Sequence, residues 1–187
     1  MNLKKHSAEL VGRHAFLSPS KYSWVNYEPD KLIRTYHTNR EAQRGTELHA
    51  LAHDLIRLGV KLPRTQKTLN MYVNDAIGHR MTPEQILYFS PNCFGTVDAI
   101  SFRKNLLRVS DLKTGVTPAS EKQLEVYVAL FCLEYGFKPM DIDIEMRIYQ
   151  SDEIRVYDSD DVEIMRIMDK IESFDRLINE MRLEELS

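Results

Sequence analysis

Phe94-Gly95-Thr96-Val97-Asp98-Ala99-Ile100-Ser101-Phe102-Arg103-Lys104-Asn105-Leu106-Leu107-Arg108-Val109-Ser110-Asp111-Leu112-Lys113 contains two runs rich in β-branched and aromatic residues, separated by a short polar connection. Gly95 to Phe102 and Leu106 to Leu112 read as strands, and Arg103-Lys104-Asn105 as the turn of an antiparallel hairpin. Side chains alternate along a strand, so Asp111 and Lys113, two residues apart, share one face. Asp98 interrupts an apolar strand, where a carboxylate is costly to bury unless it is paired or bound to a cation. Two carboxylates on neighbouring strands, with a lysine beside one of them, supply the hard oxygen ligands that Mg²⁺ or Mn²⁺ requires.

Outward from this hairpin the apolar period changes. Gln85 to Ser90 reads as a third antiparallel strand. On the N-terminal side, Ser18-Pro19-Ser20 places a capping serine and an N1 proline before a short helix. Asn39 then reads as the cap of a longer helix to Leu58, ended by Gly59, with Leu48, Leu51, Ala52, Leu55 and Ile56 as its buried stripe. A further helix is expected over Thr65 to His79. On the C-terminal side, Pro118 to Tyr135 has helical period and Gly136 stops it. Asp141 to Tyr149 alternates as a strand, Ile154 to Tyr157 reads as another, and a long amphipathic helix begins near Ser159. Its stripe of Val162, Met165, Met168, Ile171, Phe174, Ile178 and Met181 reads as core packing. Helices, a strand meander, a helix, strands and a helix together predict an α/β sandwich around a mixed central sheet, in one domain over residues 1–187.

Composition narrows the function classes. Hydrophobic residues at 43% and charged residues at 28% are the balance of a packed globular chain, not of a disordered one. No apolar run reaches the roughly 18 to 20 residues that span a bilayer, and MNLKKHSAEL lacks the apolar stretch of a signal peptide, so a cytoplasmic location without membrane contact is expected. Cys93 and Cys132 stand apart from any CxxC and read as core thiols, which excludes a four-cysteine zinc or iron–sulfur site within one chain. The net charge of −3 conceals an asymmetry. Residues 1–70 carry 12 Lys and Arg against 6 Asp and Glu, residues 71–140 carry 7 of each, and residues 141–187 carry 6 against 15. A basic N-terminal part is what a phosphate-backbone binder needs. There is no GxxxxGK[ST] and no GxGxxG, and the residue after His49 in the HxxxH of His49 and His53 is Ala50 where a zinc peptidase helix needs Glu.

Four motifs in order resemble those of the PD-(D/E)XK nucleases, in the RecB-type branch that includes many phage-encoded exonucleases. Gly45-Thr46-Glu47-Leu48-His49 is similar to the family's GTxxH helix, and Gly95-Thr96-Val97-Asp98 to its aspartate strand. Asp111-Leu112-Lys113-Thr114-Gly115 is similar to its DxKTG motif, and Gln123 with Tyr127 to its QxxxY helix. The resemblance runs from about Leu17 to Tyr127 and implies a restriction-endonuclease-like sandwich. It also implies a metal held by His49, Asp98, Asp111 and the Leu112 carbonyl. Asp98, Asp111, Lys113, Gln123 and Tyr127 would be the catalytic group, and Arg44, Thr46, Thr114 and Tyr127 the DNA contacts. Two departures stand out: His53 occupies a position often acidic in relatives, and Val97-Asp98 replaces Pro-Asp. The stretch after Leu17-Ser18-Pro19-Ser20 has no cysteine, so no iron–sulfur cluster is expected.

The activity so implied is hydrolysis of DNA phosphodiesters with Mg²⁺ or Mn²⁺, by an exonuclease acting in recombination or repair. Any recombination or helicase partner would be a separate chain, and an oligomer is compatible with the role. The competing reading is a nuclease-fold DNA-binding or regulatory module without turnover. Plainer roles stand beside these: a core-satisfied His49, a surface Asp111–Lys113 pair, and Tyr127 as packing.

Overall fold

The computed structural model describes residues 15–185; MNLKKHSAEL, which bears on the leader expectation, lies outside them. The chain divides into two compact units, Met1–Arg44 and Gly45–Ser187. In the first unit a 3₁₀ helix, Pro19–Asn26, is capped by the Ser18 hydroxyl, which accepts from the Ser20 amide at 3.3 Å. Trp24 Nε1 donates to the Ser18 carbonyl at 3.0 Å and fastens this turn to its own start.

Helix α1 covers Pro29–Leu58. The expected boundary at Asn39 is therefore wrong: Asn39 is an exposed mid-helix residue and the helix begins ten residues earlier, where Pro29 supplies N1 geometry and Asp30 a first-turn acid. Local capping preference at Asn39 lost to an unbroken run of helix-compatible residues on either side. Helix α2 is Thr68–Gly78, shorter by three residues at its start than the pattern predicts.

The second unit is built on a five-stranded mixed sheet in the order β1-β2-β3-β4-β5, with β1 Thr82–Ser90, β2 Cys93–Arg103, β3 Leu106–Leu112, β4 Asp143–Gln150 and β5 Glu153–Asp158. β1, β2 and β3 pair antiparallel as expected. The β2–β3 connection is tighter than the three residues read from sequence. Arg103 pairs with Leu106, and only Lys104 and Asn105, both at positive φ, form the turn. Two consecutive positive φ values are the signature of a type I′ hairpin. Ser151 and Asp152 make the same kind of turn between β4 and β5.

β3 pairs with β4 in parallel, Leu106↔Asp143 through Leu112↔Tyr149. A parallel pair needs a crossover, and helix α3, Lys122–Tyr135, supplies it, ending at Gly136 in the left-handed conformation. Helix α4 is Asp161–Glu185. One core gathers Leu107, Val109, Leu124, Val128, Met146 and Ile164 between the sheet and α3 with α4. The other joins Ala52, Ile56, Tyr72, Val73, Leu112 and Tyr149 on the α1–α2 face. Full burial of such aliphatic side chains stabilises the fold by about 1.5–3 kcal/mol each. Cys132 is buried and Cys93 half-buried, both free thiols.

The α4 stripe is core only in part. Ile164 is buried, and Ile167, Met168 and Ile171 pack against the first core. Val162, Phe174, Ile178 and Met181 are exposed. Past Ile171 the helix meets the β1–β2 turn through polar groups, with Asp175 accepting from the Ser90 hydroxyl and from Asn92 Nδ2. Among the described residues no helix is long and apolar enough to cross a membrane.

Candidate active site

β3 ends at Leu112, the carboxyl end of a parallel strand, which is where open α/β sheets place ligands. The β2–β3 register closes with Ala99↔Ser110, so Asp98 and Asp111 face one another one step beyond the last pair. There the side chain replaces the ladder: the Leu112 amide donates to Asp98 Oδ2 at 2.8 Å. β3 continues on its other side, where the Lys113 amide donates to the Tyr149 carbonyl at 2.9 Å. The two strands thus part at the point where both carry a carboxylate.

His49 approaches from α1, its Nδ1 3.5 Å from Asp98 Oδ1. That is an ion-pair contact, longer than a formed hydrogen bond. The Asp98 carboxylate raises the imidazole pKa, burial opposes it, and the charges of Asp98 and Asp111 add to the rise. Asp111 is buried, and burial first, then the charge of Asp98, pushes its carboxyl up; the Lys113 ammonium and His49 pull it back. Lys113 Nζ is 3.1 Å from Asp111 Oδ2, outside hydrogen-bond geometry, which leaves that buried oxygen without a hydrogen-bond partner.

The lysine is held from α3. Its ammonium donates to Gln123 Oε1 at 2.7 Å, Gln123 Nε2 donates to the Tyr127 hydroxyl at 3.4 Å, and that hydroxyl donates to the Thr96 carbonyl at 2.6 Å. Gln123 and Tyr127 lie one turn apart on α3, and Lys113, Gln123, Tyr127 and Thr96 form a continuous chain from β3 across α3 to β2. Gly95 is required beneath the ring, since a Cβ there would lie 3.2 Å from Tyr127 Cε1. Gly45 on α1 is buried against Thr114, whose Oγ1 would lie 2.8 Å from an added Cβ. Thr46 and Thr114 are exposed beside this contact, while Arg44 belongs to the first unit.

The loop after Lys113 is pinned by a buried amide. Gln150 Nε2 donates to the Gly115 and Thr117 carbonyls, both at 2.7 Å, and its Oε1 accepts from the Ala119 amide at 3.1 Å and from Arg155.

Three residues outside the candidate site set belong to this neighbourhood: Glu84 and Tyr72, which the sequence reading gave no polar role, and His53, which it noted only as the second histidine of HxxxH and as a departure from the family pattern. Glu84 on β1 lies opposite Asp98, between the pairs Pro83↔Ala99 and Gln85↔Val97. It adopts φ +48°, a left-handed conformation that costs a non-glycine residue roughly 1–3 kcal/mol and gathers at functional sites. His53, one turn beyond His49, sets its Nδ1 3.3 Å from Glu84 Oε2. Tyr72 on α2 is buried, and its phenol is pushed up by burial first and then by the charges of Asp98 and Asp111, with Glu84 adding to them. Glu84 falls just before the strand expected from Gln85, and Tyr72 within the helix expected over Thr65 to His79, so neither pattern advertised a polar role.

The donor set fits a divalent cation. Two carboxylates, the Leu112 carbonyl and water are the ligands Mg²⁺ takes, since it keeps several waters and uses one or two carboxylates. Among the described residues no group of three or more His, Cys, Asp or Glu side chains stands ready as a complete cage. No family model, no curated protein and no solved structure matches this chain.

Proposed function

We propose that this chain is a divalent-metal-dependent DNA nuclease of the PD-(D/E)XK type, hydrolysing phosphodiester bonds at DNA ends, with a restriction-endonuclease-like sandwich as its fold. The observation that carries the reading is the parting of β2 and β3 at Asp98 and Asp111. It sets a buried, incompletely satisfied carboxylate beside Lys113, which is tethered through Gln123 and Tyr127 to the Thr96 carbonyl. A lysine fixed at both ends of its reach has the positioning that catalysis needs and a solvated surface pair does not.

Asp98, Asp111 and the Leu112 carbonyl would hold Mg²⁺ or Mn²⁺, with His49 beside Asp98. The cation supplies Lewis acidity toward the scissile phosphate. Lys113 orients the attacking water and neutralises charge building on the phosphoryl oxygens. Gln123 takes one ammonium hydrogen bond and so fixes where the remaining two point. Tyr127 holds Gln123 and closes the β2 side of the cleft. Thr46 and Thr114 line the approach of the strand, and DNA is the partner.

The test is digestion of end-labelled linear, nicked and circular DNA by the purified chain with Mg²⁺, Mn²⁺ or EDTA. Metal-dependent loss of linear DNA with circular DNA spared is the expected result. Intact linear DNA under both metals would sink the proposal.

A further inference from the structure

At the opposite end of β2 and β3 from the carboxylates, the hairpin turn and the end of α2 enclose an open cleft of about 730 Å³. Its charged lining is His79, Arg80, Arg103, Lys104, Arg108 and Asp143. Arg108 is committed to Glu145, Nε to Oε1 at 2.9 Å. Arg80, Arg103 and Lys104 are exposed and make no ion pair among the described residues. Burial, then the charges of Arg108 and Arg147, lower the pKa of His79, and Asp75 and Glu145 oppose them.

Two of these cations sit where the backbone resists them. Arg80 is at φ +53° and Lys104 at φ +51°. Glycine or asparagine meets such positions at less cost, but here the type I′ turn sets the conformation for Lys104 and the end of α2 sets it for Arg80, so both cations stand on tight turns at the rim of the cleft. The C-terminus of α2, whose carbonyls would repel an anion, is satisfied internally: the His79, Arg80 and Met81 amides donate to the Asp75, Ile77 and Ala76 carbonyls at 2.8, 3.1 and 2.8 Å.

We infer that this cleft binds the phosphate backbone of the DNA whose scissile phosphate lies at Asp98 and Asp111, through Arg80, Arg103 and Lys104. The inference rests on the nuclease reading. Asp98 and Arg103 are both on β2, five residues or about 17 Å apart at the strand rise, an odd separation that turns their side chains to opposite faces of the sheet. At one phosphate per roughly 3.4 Å of each duplex strand, DNA reaching both would span at least about five nucleotides and pass around the sheet rather than straight along the strand. The cleft is open, and its free cations come from two separate segments. That arrangement follows an extended backbone, whereas a small anion would call for an enclosed pocket with a buried cation.

The experiment measures binding of the full chain to an end-labelled 20-base-pair duplex in EDTA by fluorescence anisotropy, over a range of salt. With Arg80→Gln, Arg103→Gln and Lys104→Gln combined, the slope of log affinity against log salt should shrink by about 2 to 3, near 0.9 for each phosphate no longer neutralised. Arg80→Lys, Arg103→Lys and Lys104→Arg combined should keep the wild-type slope, as should the distant control Lys170→Gln, with thermal unfolding reporting that each variant folds. An unchanged slope in the glutamine variant, beside a wild type that cleaves, overturns the cleft and spares the nuclease reading. A reduced slope beside a wild type that cleaves nothing supports the cleft as a DNA-binding surface and overturns the nuclease. Should the glutamine variant fail to fold, a wild-type slope retained by the charge-preserving variant supports the site and a diminished one overturns it. A wild type that does not bind DNA overturns the cleft, and the metal-dependent digestion alone decides the nuclease reading.

Discussion

At the scale of single residues, the proposed nuclease activity gives Lys113 a part in chemistry and Asp111 a part in metal binding, and two variants tell them apart. Lys113→Ala removes the ammonium but leaves Asp98 and Asp111, so metal and DNA binding should persist while cleavage falls on the order of 10² or more, as for loss of one preorganised charge-stabilising group. Cleavage at the wild-type rate under saturating Mn²⁺ would remove Lys113 from the mechanism. Asp111 has a folded-state pKa raised by burial and by Asp98. A raised carboxyl pKa means the folded chain holds the proton more tightly, so its contribution to stability is fullest below the unfolded value of 3.8 and is lost as pH rises through the folded one. Metal-free Asp111→Asn should therefore melt higher than metal-free wild type at neutral pH and lose that advantage near pH 3. Added Mn²⁺ should stabilise the wild type and not the variant; calorimetric scans with and without metal check both. Asp111 and Lys113 were legible in the sequence because two residues of strand put them on one face. Glu84 was not, because its part depends on a left-handed backbone and on a cross-strand partner.

Among the elements, the most sequence-legible was β3, whose expected and observed limits coincide at Leu106–Leu112, because alternation and a turn bound it on both sides. Helix α1 was misjudged by ten residues, since capping preference is local and helix continuation is cooperative. The packing of α1 on the loop after β3 depends on Gly45. An alanine there gains up to about 1 kcal/mol of helix propensity, but its Cβ meets Thr114 Oγ1 at 2.8 Å. Gly45→Ala alone should therefore change the unfolding midpoint little and lower cleavage by displacing the loop. Combined with Thr114→Ala, which clears the clash, it should melt above wild type. Equal midpoints for the single and double variants would mean that α1 and the loop do not press on one another. The exposed half of α4 shows the limit of periodicity, which marks an apolar face without saying how far the sheet beneath it extends.

For the whole molecule, the order of strands in the chain differs from the order in which the site can come into being. β1, β2 and β3 are successive hairpins and depend on contacts near in sequence. The groups that set Lys113 and the following loop are on β4: the Tyr149 carbonyl that receives the Lys113 amide, and the Gln150 amide that gathers Gly115, Thr117 and Ala119. They reach β3 only after α3 has crossed and the parallel pair has closed. Non-local parallel pairing is intrinsically slow, because chain closure precedes any contact that rewards it. Competence should accordingly be the last thing the refolding chain acquires: far-ultraviolet signal and burial of the β1–β3 meander come first, and the ability to take up Mn²⁺ later. In stopped-flow refolding, Gln150→Leu should slow or weaken that final phase while leaving the early ones alone, and metal uptake concurrent with the first phase would show that the loop needs no β4. On the proposed nuclease activity, a chain emerging from the ribosome would then carry Asp98 and Asp111 in a paired meander well before it could cut, which would keep the unfinished chain harmless to the nucleic acid around it.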